Sequence, residues 1–208
     1  MDKVEHSVKV YDSIAQKYSD AFDADLSDNP RIDKFVSYLP ASSLVIDIGS
    51  GTGVITKYIQ SKGIQVSGID LSASMVGIAK KKHPEIEFKQ EDIRNMEYPQ
   101  DHFGGIWAGH SLFHLTRDEF EKALGKFHLF LKEGGIFGFV MNEGEGDVEL
   151  PEPLDPNLTI PLTLYTDNEL SSLLDKTGFR ILEKDRKEPI MNSGELPFQK
   201  LLVIATKK

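Results

Sequence analysis

The chain has 208 residues, of which 24 are lysine or arginine and 33 are aspartate or glutamate, so its formal net charge is −9. This length suits one domain with a sizeable core, and the negative charge argues against a broad attraction to nucleic acid. The absence of cysteine excludes disulfides, thiolate metal ligands and cysteine nucleophiles, and no metal site is predicted. The first ten residues lack the apolar core of a signal peptide and no apolar run is long enough to cross a bilayer, so we expect a soluble, cytoplasmic protein without a membrane partner.

The chain begins with a helix-like segment that carries two tyrosines. Apolar residues recur four apart in residues 10–18, and Tyr11 and Tyr18 are seven apart, which predicts a helix with one apolar stripe. A polar connection follows at residues 23–30, and residues 31–39 have the pattern of a second amphipathic helix. The pattern leaves two readings open for the first helix, packing on a sheet edge or covering a ligand.

The most informative stretch is residues 44–53, which read LVIDIGSGTG. Its first five residues are an apolar run interrupted by Asp47, as expected of a strand buried on both faces of a parallel sheet. A glycine-rich turn follows, and residues 52–62 predict a helix. This order brings backbone N–H groups to a helix N-terminus, where glycines let a ligand approach closely. The turn residues are Gly49, Ser50, Gly51 and Gly53. An ordinary strand-to-helix turn would have the same pattern, so these residues alone do not establish a ligand site.

A second apolar run, GIQVSGID, ends in Asp70, nineteen positions after Gly51. Nucleotide-binding α/β folds place a carboxylate at about this point, where it accepts hydrogen bonds from ribose hydroxyls. Ser72 can cap the helix that comes next. Two strand ends, one with a glycine turn and one with an acid, predict a nucleoside site.

Together, DIGSGTG and GIDLS resemble the class I S-adenosylmethionine-dependent methyltransferases of the small-molecule type. The glycine spacing is G-x-G-x-G, whereas dinucleotide dehydrogenases have G-x-G-x-x-G, and Val54 stands where their third glycine would be. The resemblance extends from about Val10 to the C-terminus. It implies an α/β fold with a Rossmann-like, doubly wound, seven-stranded sheet, mostly parallel with an antiparallel last strand. It also implies S-adenosylmethionine as the cofactor and S-adenosylhomocysteine as the product.

The resemblance extends the cofactor site beyond the glycine turn. It places Leu71 and Met75 near the adenine ring, and assigns Asp92 to the adenine amino group with the Ile93 backbone beside it. Met75 could instead be plain core, and Asp92 could cap the turn before Arg94. The predicted cofactor-binding residues are Asp47, Gly49, Ser50, Gly51, Gly53, Asp70, Leu71, Met75, Asp92, Ile93 and Gly109.

The fourth predicted strand ends near Gly109 and is followed by two histidines. Reactive atoms in open α/β sheets lie at the carboxyl ends of strands, so this stretch should face the transferred methyl. His110 is the candidate catalytic residue, able to orient a substrate or accept a proton. His114 is either a substrate contact or a satisfied, half-buried histidine. The resemblance adds Tyr11 and Tyr18, because related enzymes carry a similar tyrosine segment as a lid over the cofactor; the predicted substrate-binding residues are thus Tyr11, Tyr18, His110 and His114.

The second half of the chain contains clear helix starts and strand runs. Thr116 and Thr166 each begin a T-x-x-E capping box. Residues 134–141 predict the fifth strand. Residues 179–184 and 201–206 are apolar runs with no room for a crossover helix between them, so they should pair as an antiparallel hairpin at the sheet edge.

Residues 142–162 are acidic and rich in proline, and we expect a long loop there. Its acids either form a solvated face or select a cationic substrate. We expect this loop, the N-terminal helix and residues 109–114 to converge around the methyl acceptor, with Trp107, Phe113 and Leu115 suiting an apolar or aromatic one.

The sequence thus predicts one domain, residues 1–208, with an N-terminal helical lid at about residues 1–40. The predicted activity is methyl transfer from S-adenosylmethionine to a small-molecule acceptor. A protein or RNA acceptor and a non-catalytic S-adenosylmethionine-binding module are the alternatives. No N-P-P-Y-like sequence stands after the fourth strand, which disfavours base and glutamine amino groups as acceptors, and a nucleic-acid partner is not expected. Glycine spacing and the C-terminal hairpin disfavour a dehydrogenase.

Overall fold

Strands and helices alternate through the part of the chain that the computed structural model describes, residues 2–25, 27–189 and 195–208. The strands are β1 (Leu44–Ile48), β2 (Gln65–Asp70), β3 (Phe88–Gln90), β4 (Phe103–Gly109), β5 (Leu131–Asn142), β6 (Gly146–Glu152), β7 (Asp155–Leu164), β8 (Phe179–Lys187) and β9 (Lys200–Lys207). The helices are α1 (Lys3–Phe22), α2 (Asn29–Tyr38), α3 (Val54–Ser61), α4 (Ala73–Lys82), α5 (Arg117–Phe130) and α6 (Asp167–Lys176), with a short 3₁₀ turn at Leu112–His114. Within these described ranges, none of the helices combines the length and the apolar character needed to cross a membrane.

Seven strands form one sheet in the order β3-β2-β1-β4-β5-β9-β8. Strands β1 to β5 pair in parallel, whereas β9 runs antiparallel between β5 and β8. The predicted seven-stranded, mostly parallel sheet with an antiparallel last strand is confirmed. The strand order changes direction between β1 and β4, so the carboxyl ends of these two strands form the crevice where open α/β sheets bind ligands.

Helices cover both faces of the sheet, which is why β1 and β4 are apolar almost throughout. One face carries α5, α6 and α1. On the other face, α2 and α3 pack around Trp107 of β4, whose ring centroid lies 5.2 Å from that of Phe35. Gly138 of β5 permits this contact, because a Cβ there would lie 2.7 Å from Phe35 and 2.8 Å from Trp107.

Three helices begin where the sequence predicts. The hydroxyl of Ser72 accepts the backbone N–H of Met75 at the start of α4. Thr116 and Thr166 form complete capping boxes with Glu residues three positions on, at the starts of α5 and α6. Each box satisfies N–H groups that the first helical turn would otherwise leave without partners.

Helix α1 is longer than the segment of residues 10–18 that the sequence pattern predicts. The Asp2 side chain accepts the N–H groups of Val4 and Glu5, which starts the helix at its first turn. Val4 and Ser7 are buried, so the apolar stripe continues toward the N-terminus.

The expectation of a long loop at residues 142–162 is wrong, because most of that stretch is an antiparallel β-hairpin of β6 and β7. Ile160 and Leu162 of β7 are fully buried, whereas Thr159, directly before Ile160, is exposed. Strand β7 packs on α1 and on the 3₁₀ turn, so tertiary burial stabilises a ribbon that local propensity does not favour. Prolines obscure the alternation in the sequence, yet a two-stranded ribbon tolerates them because both of its strands are edges.

Candidate active site

The glycine turn between β1 and α3 leaves its backbone open to a ligand. Gly49, Gly51 and Gly53 all have positive φ angles, of 71°, 54° and 84°. A Cβ on Gly51 would meet nothing within 4 Å, whereas one on Gly49 would lie 2.2 Å from the Cβ of Ser111. The hydroxyl of Ser50 is buried and has no hydrogen-bond partner among the described residues. The turn therefore offers open backbone on one side and an unsatisfied hydroxyl at its centre.

Asp70 connects the ends of the first two strands. One carboxylate oxygen accepts the N–H of Gly51 at 2.8 Å, and the other accepts the N–H of Ser72 at 2.8 Å. Burial raises the pKa of Asp70, while these backbone hydrogen bonds oppose the rise. The acid thus holds the glycine turn against the start of α4.

Asp47 lies beneath the turn, within β1. Its carboxylate accepts a 2.6 Å hydrogen bond from the Thr56 hydroxyl. Burial raises the pKa of Asp47 to about 7, because the charged form is poorly solvated there, although the hydrogen bond acts in the opposite direction. A cationic group bound nearby would favour the charged form.

Two cavities, of about 180 Å³ and about 120 Å³, meet above the carboxyl ends of β1, β2 and β4. The smaller is lined by Asp70 and by the residues predicted to surround adenine, and the larger by Asp47 and Ser50. The residues that line both cavities are Tyr11, Tyr18, Gly49, Gly51, Gly109 and His110. Every predicted cofactor residue lines at least one cavity except Gly53, which caps α3 and lies against Phe88.

Asp92 combines the two roles that the sequence left open. It lines the smaller cavity, and it also accepts the N–H of Arg94 at 2.8 Å, as a turn cap does. The guanidinium of Arg94 pairs with Asp92, Glu119 and Asp2. Arg94 therefore ties the N-terminus of α1 to this side of the cavity.

His110 lies on the wall between the two cavities, with a φ of 58°. Its Nε2 is 3.1 Å from a carboxylate oxygen of Asp28. Burial would raise the pKa of Asp28, yet the hydrogen bond and charge of His110 hold it well below its usual range. Asp28 can thus orient the imidazole at the point where the cavities meet.

His114 is oriented by α1. Its Nε2 lies 3.1 Å from the hydroxyl of Tyr11, and the two rings are T-shaped with centroids 5.2 Å apart. Burial lowers the pKa of His114 to about 3, with the charge of Lys3 acting in the same direction, so the ring is neutral near pH 7. His114 can then hold the Tyr11 hydroxyl but is a poor source of charge for a substrate.

Helix α1 is fixed over the site by polar contacts. Asp12 accepts the Ser72 hydroxyl at 2.6 Å and the N–H of Ser74 at 3.0 Å. Past the helix, the Thr52 hydroxyl donates to Asp23 at 2.6 Å. Asp23 thus fixes the start of the polar connection at residues 23–30 to the glycine turn.

Several lining residues carry no recognisable signal in the sequence. They stand alone among polar residues of loops and strand ends, and distant segments bring them together. Trp107 and Phe113, which the sequence did suggest, line the larger cavity, and Leu115 lines the smaller. The lining residues missed from the sequence include Asp28, Asn142, Glu152, Glu195 and Lys200.

The comparisons with known proteins agree with this geometry. A family model described as "Methyltransferase domain" matches residues 45–135. An uncharacterized methyltransferase of Anoxybacillus flavithermus is 30% identical over 144 residues, which are 67% of this chain and 65% of that protein. Phosphoethanolamine N-methyltransferase of Plasmodium falciparum is 30% identical over 156 residues, 71% of this chain and 58% of that protein. The chain thus spans less than two thirds of the length of these two curated relatives.

A solved structure extends the likeness over nearly the whole chain. The 1,6-didemethyltoxoflavin-N1-methyltransferase of Burkholderia thailandensis, with bound 1,6-didemethyltoxoflavin and S-adenosylhomocysteine, matches with a TM-score of 0.75 at 19% identity. The match covers 97% of this chain and 87% of that one, and it shows a shared fold. Family model, relatives and fold agree with the glycine turn and the strand order, and together they support a class I S-adenosylmethionine-dependent methyltransferase domain.

Proposed function

We propose that the protein is an enzyme that transfers the methyl group of S-adenosylmethionine to a small-molecule acceptor. The observation that carries this proposal is the pair of cavities that meet at Gly109 and His110. The smaller cavity has the features of a nucleoside site, and the larger one has room for an acceptor beyond the part that Asp47 and Ser50 line. A shared wall between them is the arrangement that a transfer reaction needs.

The residues present fit the cofactor. Asp70 lies at the end of β2 and faces the smaller cavity, where a ribose would find a hydrogen-bond acceptor. Leu71, Met75 and Ile93 supply an apolar lining for adenine. At the glycine turn, the open space over Gly51 and the unsatisfied Ser50 hydroxyl favour close approach of the remainder of the molecule. When bound, S-adenosylmethionine supplies a methyl group already activated on a sulfonium.

The chain's own contribution is then mainly positioning. Tyr11 and Tyr18 border both cavities and hold the acceptor against the cofactor. His110, oriented by Asp28, either orients the acceptor or takes its proton. A proton acceptor is needed only when the acceptor atom is still protonated at neutral pH.

A small-molecule acceptor is favoured over a macromolecule. The cavity for it is bordered by α1 and the β6–β7 hairpin, and the net charge of −9 does not favour RNA. Phosphoethanolamine and 1,6-didemethyltoxoflavin, which appear in the names of two similar proteins, are both small molecules. A protein acceptor and a non-catalytic binding module are the competing functions, and the cytoplasmic location stays a prediction.

The proposed function is tested by offering the purified protein a metabolite pool together with methyl-labelled S-adenosylmethionine. Mass spectrometry should find a labelled small molecule and S-adenosylhomocysteine in equal amounts. Binding of the cofactor without any labelled product from small-molecule or protein pools would support the non-catalytic module instead.

We further propose that about the first 40 residues are a lid of the single domain and become more ordered over the bound cofactor; Met1 and Leu26 of this segment lie outside the described residues. Contacts of α1 with the smaller cavity support this. Addition of S-adenosylhomocysteine should increase the hydrogen-exchange protection of residues 10–18, because the ligand links them to the sheet. The core strand β5 serves as the internal control and should not change. Equal protection of residues 10–18 in both states would make α1 static packing.

A further inference from the structure

Glu152 is a buried carboxylate that the site described above does not use. It lies at the tip of the β6–β7 hairpin, lines the larger cavity and is 5% exposed. It accepts the N–H of Leu154, two residues along, at 3.1 Å, and no described lysine or arginine forms a salt bridge with it. A buried carboxylate without a cationic partner is costly, and a ligand that supplies the positive group would remove that cost.

Two residues that line the same cavity carry buried hydrogen-bond donors without partners among the described residues. The indole N–H of Trp107 and the side-chain amide nitrogen of Asn142 are buried, and each residue is 1% exposed. Neither finds an acceptor within the described ranges of the chain. Buried donors of this kind normally have a partner, and a ligand oxygen that reaches them from the cavity would supply one.

The remaining walls favour a flat cation. The aromatic side chains of Tyr11, Tyr18, Phe22 and Phe113 line the cavity together with Trp107. Six of the described charged side chains that line it are acidic and one is a lysine, Lys200. Glu195 pairs with Lys200 at 2.8 Å, Asp23 pairs with Lys82, and Asp28 pairs with Arg31 and His110. The acids that line the cavity without a basic partner among the described residues are Asp25, Asp47 and Glu152. Aromatic faces and surplus negative charge both attract an ammonium group on an aromatic molecule.

We propose that the acceptor is an arylalkylamine, an aromatic molecule with an aliphatic amine that is protonated near pH 7, with its ammonium group bound by Glu152 and an oxygen atom bound by Trp107 and Asn142. This inference rests on the proposed function, since it names the substrate class of the same site. Glu152 belongs to the hairpin and not to β1 or β2, which carry the glycine turn and Asp70. It therefore determines acceptor specificity and leaves cofactor binding unchanged.

The test measures binding of three matched probes to protein saturated with S-adenosylhomocysteine: tyramine, its neutral analogue tyrosol and its anionic analogue 4-hydroxyphenylacetate. Calorimetry should show that tyramine binds at least about tenfold more tightly than tyrosol, as expected for a hydrogen bond between charged groups. Glu152→Gln should remove this preference while S-adenosylhomocysteine affinity stays unchanged. Glu149→Gln is the matched control, because Glu149 is exposed on the same strand, and it should keep the preference.

Equal binding of the three probes, including no binding of any, would overturn the inference, and so would a preference for 4-hydroxyphenylacetate. The comparison of probes on the wild-type protein needs no variant, so it decides the matter even where Glu152→Gln does not fold. Binding of S-adenosylhomocysteine without an amine preference overturns the acceptor class alone. Failure of S-adenosylhomocysteine to bind the wild-type protein overturns the proposed function itself.

Discussion

Asp70→Ala should weaken S-adenosylmethionine binding by about one to two powers of ten, roughly 1.5–3 kcal/mol for hydrogen bonds to a charged acceptor. The carboxylate is the acceptor predicted for the ribose, and it also holds the N–H groups of Gly51 and Ser72. Its removal therefore takes away a ligand contact and loosens the turn beside it. Titration calorimetry with S-adenosylmethionine measures the loss directly.

Asp70→Asn is the matched control, because the amide keeps one acceptor oxygen and most of the side-chain volume. It should show a smaller loss of affinity than Asp70→Ala, and circular dichroism should show that both variants are folded. Unchanged affinity for S-adenosylmethionine in a folded Asp70→Ala protein would contradict the prediction that Asp70 binds the cofactor.

His110→Ala should lower turnover about a hundredfold, at the low end of what a positioned acid–base group contributes. The histidine lies where the cavities meet, and its Nε2 is held by Asp28. S-adenosylhomocysteine affinity should stay nearly intact, because the predicted contacts of His110 are with the acceptor. Turnover is followed with labelled S-adenosylmethionine and the acceptor that the metabolite screen identifies.

His102→Ala provides the control, since His102 stacks on Tyr98 and lines neither cavity. A fall in cofactor affinity with normal turnover at saturation would reverse the assignment of His110. If His110→Ala keeps both normal cofactor affinity and normal turnover, His110 has a structural role. Catalysis would then depend only on holding the acceptor close to the cofactor.

Features with a local cause were predictable from the sequence. The glycine turn, the acid at Asp70 and the capping boxes at Thr116 and Thr166 each depend on residues close together in the chain. The antiparallel β9 was predictable because residues 179–206 leave no room for a crossover helix. Short-range geometry decides these features, so pattern and spacing suffice.

The rest depends on contacts between distant segments. Asp28 meets His110 across 82 positions, and no pattern in residues 23–30 indicates that pairing. The sequence of β7 contains two prolines and has the pattern of a loop. The strand forms because it packs on α1, a contact that its local sequence does not indicate. Glu152 is buried for the same reason, and its place in the cavity follows only once the hairpin is known.

Calorimetric titration of the wild-type protein with S-adenosylhomocysteine, and separately with NADH, tests the central claim most directly. We expect S-adenosylhomocysteine to bind at one site per chain and to raise the melting temperature, because a ligand that binds only the folded state stabilises it. NADH should do neither. Binding of NADH without S-adenosylhomocysteine would contradict the account and identify the site as one for a dinucleotide.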